Sequence, residues 1–552
     1  MKIIVQKNIE YGKEVQKELR THYPQHFVES GGTRTEALHD KSINGFRISF
    51  QKNSAVLRYS DISSLMRGLG TLISLPEGYQ EETVSPPPIE FRGIMIDCSR
   101  NAVLNISFLK KLIALLGLCG INCLTLYTED TVSVKGEDLL GYKRGRYSDK
   151  ELKDLSAYAE KFGIEMFPCI QTLGHMEQLL QYKQAKAGIT DTPRVLSIKS
   201  KETYKLIENV IRSASAPFSS NLIHIGMDET QGLGQGKYFD PDNPEKPIDL
   251  YVAHLKKVSA ICKENGLSPI MWADILMGVS DTEQKASEEL TNEIPKNVTL
   301  DYWDYYSHTP DKYKKGIDTY RKAGFEPIVS PGLWNWGNFW AGYPKAMSTM
   351  PLFMKAAREK NIKKSLATMW GDDGQEAPFF SALPQLFVYA ENCWSESPSP
   401  EDVSARFEAL TGDPIEFFAL ASKLDYPSFK CAPGKFSSVS KGFFYEDPLY
   451  GLFSSHDMRK RTGAHFRELS EQFSEITDAS DKSNSIYFRY VRDFSGILSD
   501  KADLYRELYS AYNKKDRKKL KEISESTLPS LSRKIAKFSE LREKIWMLEN
   551  KP

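Results

Sequence analysis

The chain has 552 residues and a mass of 62.7 kDa, which is more than one ordinary domain holds, so we expect about two to four domains. Hydrophobic residues make up 40% and aromatic residues 11% of the chain, a composition that excludes a disordered protein. Lys and Arg together number 73, as do Asp and Glu, so the formal net charge is +0 and no overall attraction to nucleic acid or to an anionic membrane is expected.

The amino-terminal segment and the cysteines bear on the cellular location of the protein. Residues 1–7 become polar too early for the apolar core of a signal peptide, and no apolar run approaches the roughly 18 residues of a spanning helix. The seven cysteines are odd in number and show no Cys-x-x-Cys spacing, so buried reduced thiols are expected rather than disulfides or zinc ligands. We therefore expect a cytoplasmic protein without a membrane-bound segment.

Residues 1–80 predict a small α+β domain. The strand-like segments are residues 2–5, 46–50 and 55–59, and the helix-like segments are residues 12–21 and 61–75. The second helix-like segment carries Leu65, Leu69 and Leu72 at helical spacing. Prolines and glycine in residues 76–88 then break the pattern and predict a linker.

Residues 90–398 alternate between strand-like and helix-like segments. The strand candidates are residues 93–98, 122–127, 165–170, 222–226, 269–272, 298–303, 327–330 and 366–370. The helix candidates between them are residues 108–118, 150–161, 204–213, 250–264, 312–322 and 352–360. Eight buried strands that alternate with helices predict an α/β fold of the (β/α)8, or TIM, barrel type.

Residues 399–552 predict a helical region rich in charge. The helix candidates are residues 401–410, 459–476, 485–512 and 529–548. The basic run at residues 514–519 is short and has no basic surroundings, which favours a solvated helix face over a nucleic-acid site. The region is expected to pack on the barrel or on a second subunit, which leaves a homodimer open.

Polar or aromatic residues follow all eight predicted strands, where a TIM barrel places its active site. In chain order they are Ser99 and Arg100, Glu129 and Asp130, His175, Asp228 and Glu229, Asp274, Tyr305, Trp334, and Trp370 with Asp372 and Asp373. The adjacent acids Asp228 and Glu229 are the most informative of these. The alternative for them is that Asp228 caps a following helix and Glu229 is merely solvated.

Six tryptophans near the ends of the last four strands favour a sugar as the ligand. They are Trp272, Trp303, Trp334, Trp336, Trp340 and Trp370. Indole rings stack on the apolar faces of pyranoses, while acids and Arg bind the hydroxyls. Two or three of the six are expected to be core packing instead, because Trp is often buried.

The hexapeptide His-Ile-Gly-Met-Asp-Glu at residues 224–229 resembles the His-x-Gly-x-Asp-Glu signature of family 20 glycoside hydrolases, the β-N-acetylhexosaminidases. Residues 91–100 and 122–130 resemble the family's first two barrel strands, and residues 173–175 resemble the end of the third. The likeness covers the amino-terminal domain and the barrel. It is nearest to the bacterial intracellular branch, whose members carry a helical carboxyl-terminal region.

The resemblance implies a retaining exo-glycosidase that acts on small glycans with a terminal β-linked GlcNAc or GalNAc, and no cofactor or metal. Catalysis in the family is substrate-assisted: the 2-acetamido oxygen attacks the anomeric carbon and forms an oxazolinium intermediate. Glu229 matches the acid/base, and burial and the adjacent anion are expected to keep it protonated. Asp228 matches the acid that accepts the acetamide N–H.

The resemblance also implies the substrate-binding residues. Arg100 would grip sugar hydroxyls, Trp272, Trp303 and Trp370 would wall the acetamido pocket, and Trp334 is expected among the stacking rings. Asp372 or Asp373 would accept the C4 or C6 hydroxyl. His175 and His224 would support the acid pair by hydrogen bonds, with a core histidine as the alternative for His224.

One departure from the family concerns the acetamide oxygen, which many members bind with a tyrosine at the end of strand seven. Residues 330–335 contain no tyrosine, so Tyr305 is expected to supply this hydroxyl. Two alternatives to the β-N-acetylhexosaminidase are a chitinase-like barrel, which carries an Asp-x-Glu spacing, and a non-catalytic glycan-binding barrel. The sequence has no His-x-His spacing for a metal, and the glycine-rich residues 232–236 are interpreted as a mobile active-site loop.

Overall fold

The computed structural model describes residues 1–5, 12–51, 54–76, 79, 81–83, 87–182, 188–277, 288–428, 438–456, 461–479 and 484–552. These residues form two compact units. The first contains Met1–Leu333, Ser348–Met369 and Val388–Arg406, and the second contains Trp334–Met347, Trp370–Phe387 and Phe407–Pro552.

The first unit begins with a five-stranded sheet. Its strands are β1 (Ile3–Val5), β2 (Thr33–His39), β3 (Phe46–Gln51), β4 (Ser54–Tyr59) and β5 (Glu81–Thr83), in the order β1-β2-β4-β3-β5. The helices Gly12–His22 and Ile62–Ser74 accompany it, and Asp61 caps the second by accepting the Ser64 N–H. The sequence does not predict strand β2, because its buried positions are Thr35 and Ala37, which form no apolar run. The predicted linker at residues 76–88 is partly wrong, because β5 lies within it and pairs with β3.

Eight parallel strands form a closed barrel, which confirms the predicted fold. They are β6 (Phe91–Asp97), β7 (Cys123–Tyr127), β8 (Glu165–Cys169), β9 (Leu222–His224), β10 (Ser268–Trp272), β11 (Thr299–Trp303), β12 (Ile328–Ser330) and β13 (Lys364–Met369). Strand β13 pairs with β6 and closes the ring. All five residues of β7 are buried, which explains the unbroken apolar runs of such strands.

Helices follow the barrel strands in chain order. They are Ile106–Leu118, Asp149–Glu160, Glu177–Leu180, Lys201–Ser215, Pro247–Glu264, Asp274–Met277, Glu288–Asn292, Pro310–Lys322, Tyr343–Glu359 and Leu383–Trp394. Local sequence fixes several starts: Asn105 caps the first helix, and Ser148 with Glu151 forms a capping box on the second. The six helices predicted between the strands are therefore present.

The second unit is largely helical. After the helix Pro400–Thr411 come the helices Ile415–Ala421, Val439–Tyr445, Arg461–Ala479, Ser485–Asn513, Arg517–Glu522 and Leu528–Glu549. Two buried carboxylates tie the segments that follow β12 and β13 into this unit. Asp425 accepts the backbone N–H groups of Phe339 and Trp340, and Glu549 accepts those of Phe379 and Phe380.

The structure also bears on the basic run, the cysteines and the character of the helices. The basic run at residues 514–519 spans an exposed turn and the start of the helix Arg517–Glu522, so it is not one helix face. Six cysteines are buried and free, as predicted, and Cys431 lies outside the described residues. Among the described helices, none has both the length and the apolar character that crossing a membrane requires.

Candidate active site

A tight turn after β9 gives the two adjacent acids different environments. Gly226, Met227 and Glu229 have φ values of 68°, 75° and 45°, so the chain bends sharply where the strand ends. Asp228 is 8% exposed, whereas the side chain of Glu229 is 48% exposed. The expected burial of Glu229 is therefore wrong, because the turn directs Asp228 into the protein and the next side chain outward. The residues after Glu229 form turns, which excludes the helix-cap alternative for Asp228.

Asp228 is held at both carboxylate oxygens. The Nε2 of Gln171 donates to Oδ1 at 2.7 Å, and the Nε2 of His175 lies 3.3 Å from Oδ2. Burial alone would raise the pKa of Asp228, but His175 and the Gln171 hydrogen bond outweigh it and lower the pKa to about 2. Asp228 is therefore an anion throughout the neutral range.

His175 lies among three carboxyl groups. Its Nε2 is 3.3 Å from Asp228 Oδ2 and 3.6 Å from Glu229 Oε2, and its Nδ1 is 3.7 Å from Glu129 Oε1. Burial would lower the pKa of His175, yet Asp228 and then Glu129 raise it to about 9. The sequence predicts that His175 supports the acid pair. In the structure its imidazolium lies close to the carboxylates of both Asp228 and Glu229.

Arg100, which follows β6, is paired within the protein. Its Nη1 lies 3.0 Å from Asp97 Oδ2 and its Nη2 lies 3.4 Å from Glu129 Oε1. The guanidinium also stands 4.9 Å from the centre of the Tyr127 ring, and about a fifth of the side chain, 21%, remains exposed. Burial raises the pKa of Glu129 to about 7 although Arg100 opposes this.

His224 belongs to the core behind the acid pair. Its Nδ1 accepts the Gly226 N–H at 3.1 Å, and its Nε2 lies 3.7 Å from Asp301 Oδ2. The fully buried Trp272 packs on the imidazole with ring centres 4.5 Å apart. His224 therefore supports the turn that carries the acids, as the core alternative predicted, and Trp272 packs against it.

Asp274, which follows β10, is a buried carboxyl beside the pair. It is 4% exposed, and the backbone N–H of Glu229 is hydrogen-bonded to it. Burial and the charge of Asp228 raise the pKa of Asp274 to about 7. The sequence placed Asp274 at a strand end without giving it a role.

Trp303 and Tyr305 form a stacked pair after β11, with ring centres 5.1 Å apart and an interplanar angle of 24°. Trp303 is half-buried and Tyr305 is 6% exposed. The turn around them is fixed by Asp304, whose carboxylate accepts the N–H groups of Tyr306 and Ser307. The ring of Tyr305 is thus stacked on the indole of Trp303.

The remaining predicted residues belong to the second unit. Trp334 stacks on Trp336 with ring centres 4.3 Å apart, and Trp370 is 9% exposed. Trp340 is fully buried in the helical core. The carboxylate of Asp373 pairs with Lys441 Nζ at 2.9 Å.

The glycine-rich segment after the acids is tied down rather than loose. The carboxylate of Asp191 accepts the backbone N–H groups of Gly234 at 2.6 Å and Gly236 at 3.2 Å. Within the described ranges, no group of three or more His, Cys, Asp or Glu side chains is arranged to hold a metal ion.

Sequence reasoning missed Gln171 and Tyr127. The hydroxyl of Tyr127 donates to Glu129 Oε1 at 2.9 Å and accepts from Gln171 Nε2 at 2.8 Å. Gln171 lies two residues beyond β8, so the strand-end rule that selected His175 could have selected it too.

A barrel with two carboxyls at the end of one strand is an arrangement that glycoside hydrolases use, and family comparison identifies which kind. The glycosyl hydrolase family 20 catalytic domain matches residues 89–397, and the Glycoside Hydrolase 20C C-terminal domain matches residues 416–552. The first match covers more than half of the chain. The protein belongs to glycoside hydrolase family 20.

Individual relatives are distant. Hexosaminidase D of Bos taurus is 25% identical over 231 residues, which cover 40% of this chain and 65% of that protein. Hexosaminidase D of Homo sapiens is 26% identical over 258 residues, which cover 45% of this chain and 50% of that protein. The chain therefore spans between half and two thirds of the length of these relatives.

Solved structures agree in fold. The exo-β-N-acetylglucosaminidase of Vibrio harveyi has a TM-score of 0.57 at 16% identity, with 74% of this chain and 72% of that chain covered. The β-N-acetylhexosaminidase of Bacteroides fragilis has a TM-score of 0.54 at 17% identity, with 73% and 88% covered. At this identity the likeness establishes a shared fold alone.

Proposed function

We propose that the chain is a retaining exo-β-N-acetylhexosaminidase that removes terminal β-linked GlcNAc, with GalNAc as a second substrate, through an oxazolinium intermediate. Membership of family 20 supports glycoside hydrolysis, and the relatives named hexosaminidase support a 2-acetamido sugar. The observation that carries the proposal is the contrast within the acid pair: Asp228 is buried and ionised, and Glu229 is the half-exposed carboxyl beside it.

Asp228 suits the part of a fixed anion. In the proposed reaction the acetamide N–H of the substrate donates to its carboxylate, which orients the acetamide oxygen toward the anomeric carbon. As that oxygen forms a bond to the carbon, positive charge grows on the acetamide nitrogen and the Asp228 anion stabilises it. A carboxylate already held at both oxygens needs no reorganisation during this step.

Glu229 suits the part of the acid/base. It would give its proton to the glycosidic oxygen as the bond to the anomeric carbon breaks, and then take a proton from the water that opens the oxazoline. A sugar that covers Glu229 would remove water from the carboxyl, and loss of water favours the neutral acid. The half-exposed side chain leaves room for such a substrate.

The substrate-binding residues are proposed from both the resemblance and their surroundings. Arg100 keeps an exposed edge for a hydroxyl, and the Trp303–Tyr305 stack offers an aromatic surface close to the strand ends. Trp334, Trp370 and Asp372 follow β12 and β13 in the chain and are proposed to bind the sugar ring and its hydroxyls. His175 is proposed to act on the substrate through the acids.

A cytoplasmic location and a homodimer complete the proposal. Family 20 proteins of the bacterial intracellular branch, which the sequence resembles, support the first. The helical region matched at residues 416–552 is the part proposed to associate. Subcellular fractionation and light scattering of the purified chain test the two statements separately.

The acid pair can be tested with isosteric variants. Asp228→Asn should reduce kcat/KM for an aryl β-GlcNAc about 10²- to 10³-fold, because the carboxylate that stabilises the positive charge growing on the acetamide nitrogen is lost. Asp154→Asn, an exposed carboxyl on the helix Asp149–Glu160, is the matched control and should retain full activity. If the wild type hydrolysed neither aryl β-GlcNAc nor aryl β-GalNAc, the proposed function would be refuted.

A further inference from the structure

Gln171 is a buried carboxamide whose donors and acceptor are all engaged. Its Nε2 donates one hydrogen to Asp228 Oδ1 at 2.7 Å and the other to the Tyr127 hydroxyl at 2.8 Å. Its Oε1 accepts the backbone N–H of Met227 at 3.1 Å. Because a backbone N–H can only donate, the amide cannot turn over, so Asp228 always meets an N–H and never an oxygen.

We propose that Gln171 is a positioning residue that keeps Asp228 ionised and in a single orientation for the reaction. The catalytic part of this inference rests on the proposed function. Gln171 holds one carboxylate oxygen and His175 holds the other, so both the direction and the charge of Asp228 are fixed. Through Tyr127, the same amide also orients the hydrogen bond to Glu129.

The neutrality of Gln171 matters because Asp228 lies in a site crowded with acids. Several titratable groups interact electrostatically with Asp228. They are Tyr127 of β7, Cys169 of β8, His175 after β8, Tyr251 of the helix Pro247–Glu264 and Asp274 after β10, and Glu229 is next in the chain. Around these lie Asp97, Arg100, Glu129 and Asp301. His175 is the cation in direct contact with Asp228. A carboxyl in place of Gln171 would have to share a proton with Asp228, since two adjoining carboxylates cannot both ionise freely.

The backbone leaves space for this amide. A Cβ added to Gly226 would lie 2.1 Å from Gln171 Oε1, and Gly226 has a φ of 68°. The turn that carries the acids is therefore shaped around Gln171, which makes the contact part of the site's construction rather than a chance approach.

The test uses Gln171→Glu, which has nearly the same shape as the wild type and adds a carboxyl. The variant-to-wild-type ratio of kcat/KM on an aryl β-GlcNAc should fall about tenfold as the pH rises from 5 to 8, because the carboxyl at position 171 then loses the proton that it donates to Asp228 and repels that carboxylate. Gln181→Glu, which adds a carboxyl at an exposed position, should leave the ratio flat. A flat ratio for Gln171→Glu as well would overturn the inference.

Thermal unfolding supplies a readout that needs no substrate. A carboxyl at position 171 would be protonated in the folded state, so its contribution to stability is present at low pH and lost as the pH rises. The Tm of Gln171→Glu should therefore approach that of the wild type at pH 5 and fall below it at pH 8. Activity and stability would then both recover on acidification, whereas general damage to the fold would lower both at every pH.

A second variant covers the case in which Gln171→Glu does not fold. Gln171→Met keeps the volume and removes the donor at every pH, so its variant-to-wild-type ratio of kcat/KM should stay well below one from pH 5 to pH 8. A Met variant with the wild-type kcat/KM would overturn the inference. Failure of the wild type to hydrolyse either aryl glycoside would instead refute the proposed function and leave the Tm comparison to decide the role of Gln171.

Discussion

The charge of His175 can be measured directly. Its pKa of about 9, against an ordinary 6.5, corresponds to about 3 kcal/mol in favour of the imidazolium at 1.36 kcal/mol per pKa unit. The same pair viewed from Asp228, whose pKa falls from 3.8 to about 2, corresponds to about 2 kcal/mol. We take about 2–3 kcal/mol for the interaction. The raised pKa means that this stabilisation is complete below pH 6.5 and is lost as the pH rises through about 9.

The assay is an NMR titration of protein labelled at the histidine rings. Nine histidines will give signals, and His175→Gln identifies the one of interest. Its midpoint should lie near pH 9 in the wild type, and Asp228→Asn should lower it by about 1.5 to 2 pH units, as the interaction of about 2–3 kcal/mol requires. Asp154→Asn should leave it unchanged. A midpoint near 6.5, or no response to Asp228→Asn, would refute the ion pair as the source of the charge.

Three further predictions concern the acids, their turn and metals. Glu229→Gln should lose about 10²- to 10⁴-fold in kcat on glycosides with poor leaving groups and much less on activated aryl glycosides, and equal losses would show that Glu229 is not the acid. Gly226→Ala should lower the free energy of unfolding by about 1–3 kcal/mol more than Gly266→Ala in chemical denaturation. Both glycines have a positive φ, but an added Cβ meets Gln171 at Gly226 and nothing at Gly266, so equal losses would remove the clash from the account. EDTA treatment should leave the activity unchanged, and restoration of a lost activity by added metal would contradict the proposed chemistry.

The sequence predicted the barrel well because its strands are continuous apolar runs. All eight segments were located to within about two residues at most ends, since a strand covered on both faces has little polar interruption. The five-stranded sheet was harder. Strand β2 buries Thr35 and Ala37, which carry no apolar signal, and β5 lies in a stretch dominated by proline and glutamate.

The sequence predicted which residues form the site, but not how deeply each one is buried or what it contacts. Strand ends selected Arg100, His175 and the acid pair, because parallel strands bring their carboxyl ends together. The burial of Asp228 and the exposure of Glu229 depend on three left-handed residues in the turn, two of them not glycine, which no local pattern reveals. Gln171 was overlooked because an uncharged amide is not suspected of controlling a carboxylate until its partners are seen.

The most direct test of substrate-assisted catalysis compares two aryl β-glycosides that differ at C2. If the acetamide oxygen is the nucleophile, the 2-acetamido sugar should be hydrolysed while the plain β-glucoside is almost inert at concentrations that fill the site. A thiazoline mimic of the bicyclic intermediate should then bind much more tightly than the product GlcNAc, because the site favours the intermediate over the product. Comparable turnover of the plain glucoside, or a glycosyl ester isolated on Asp228, would contradict the account.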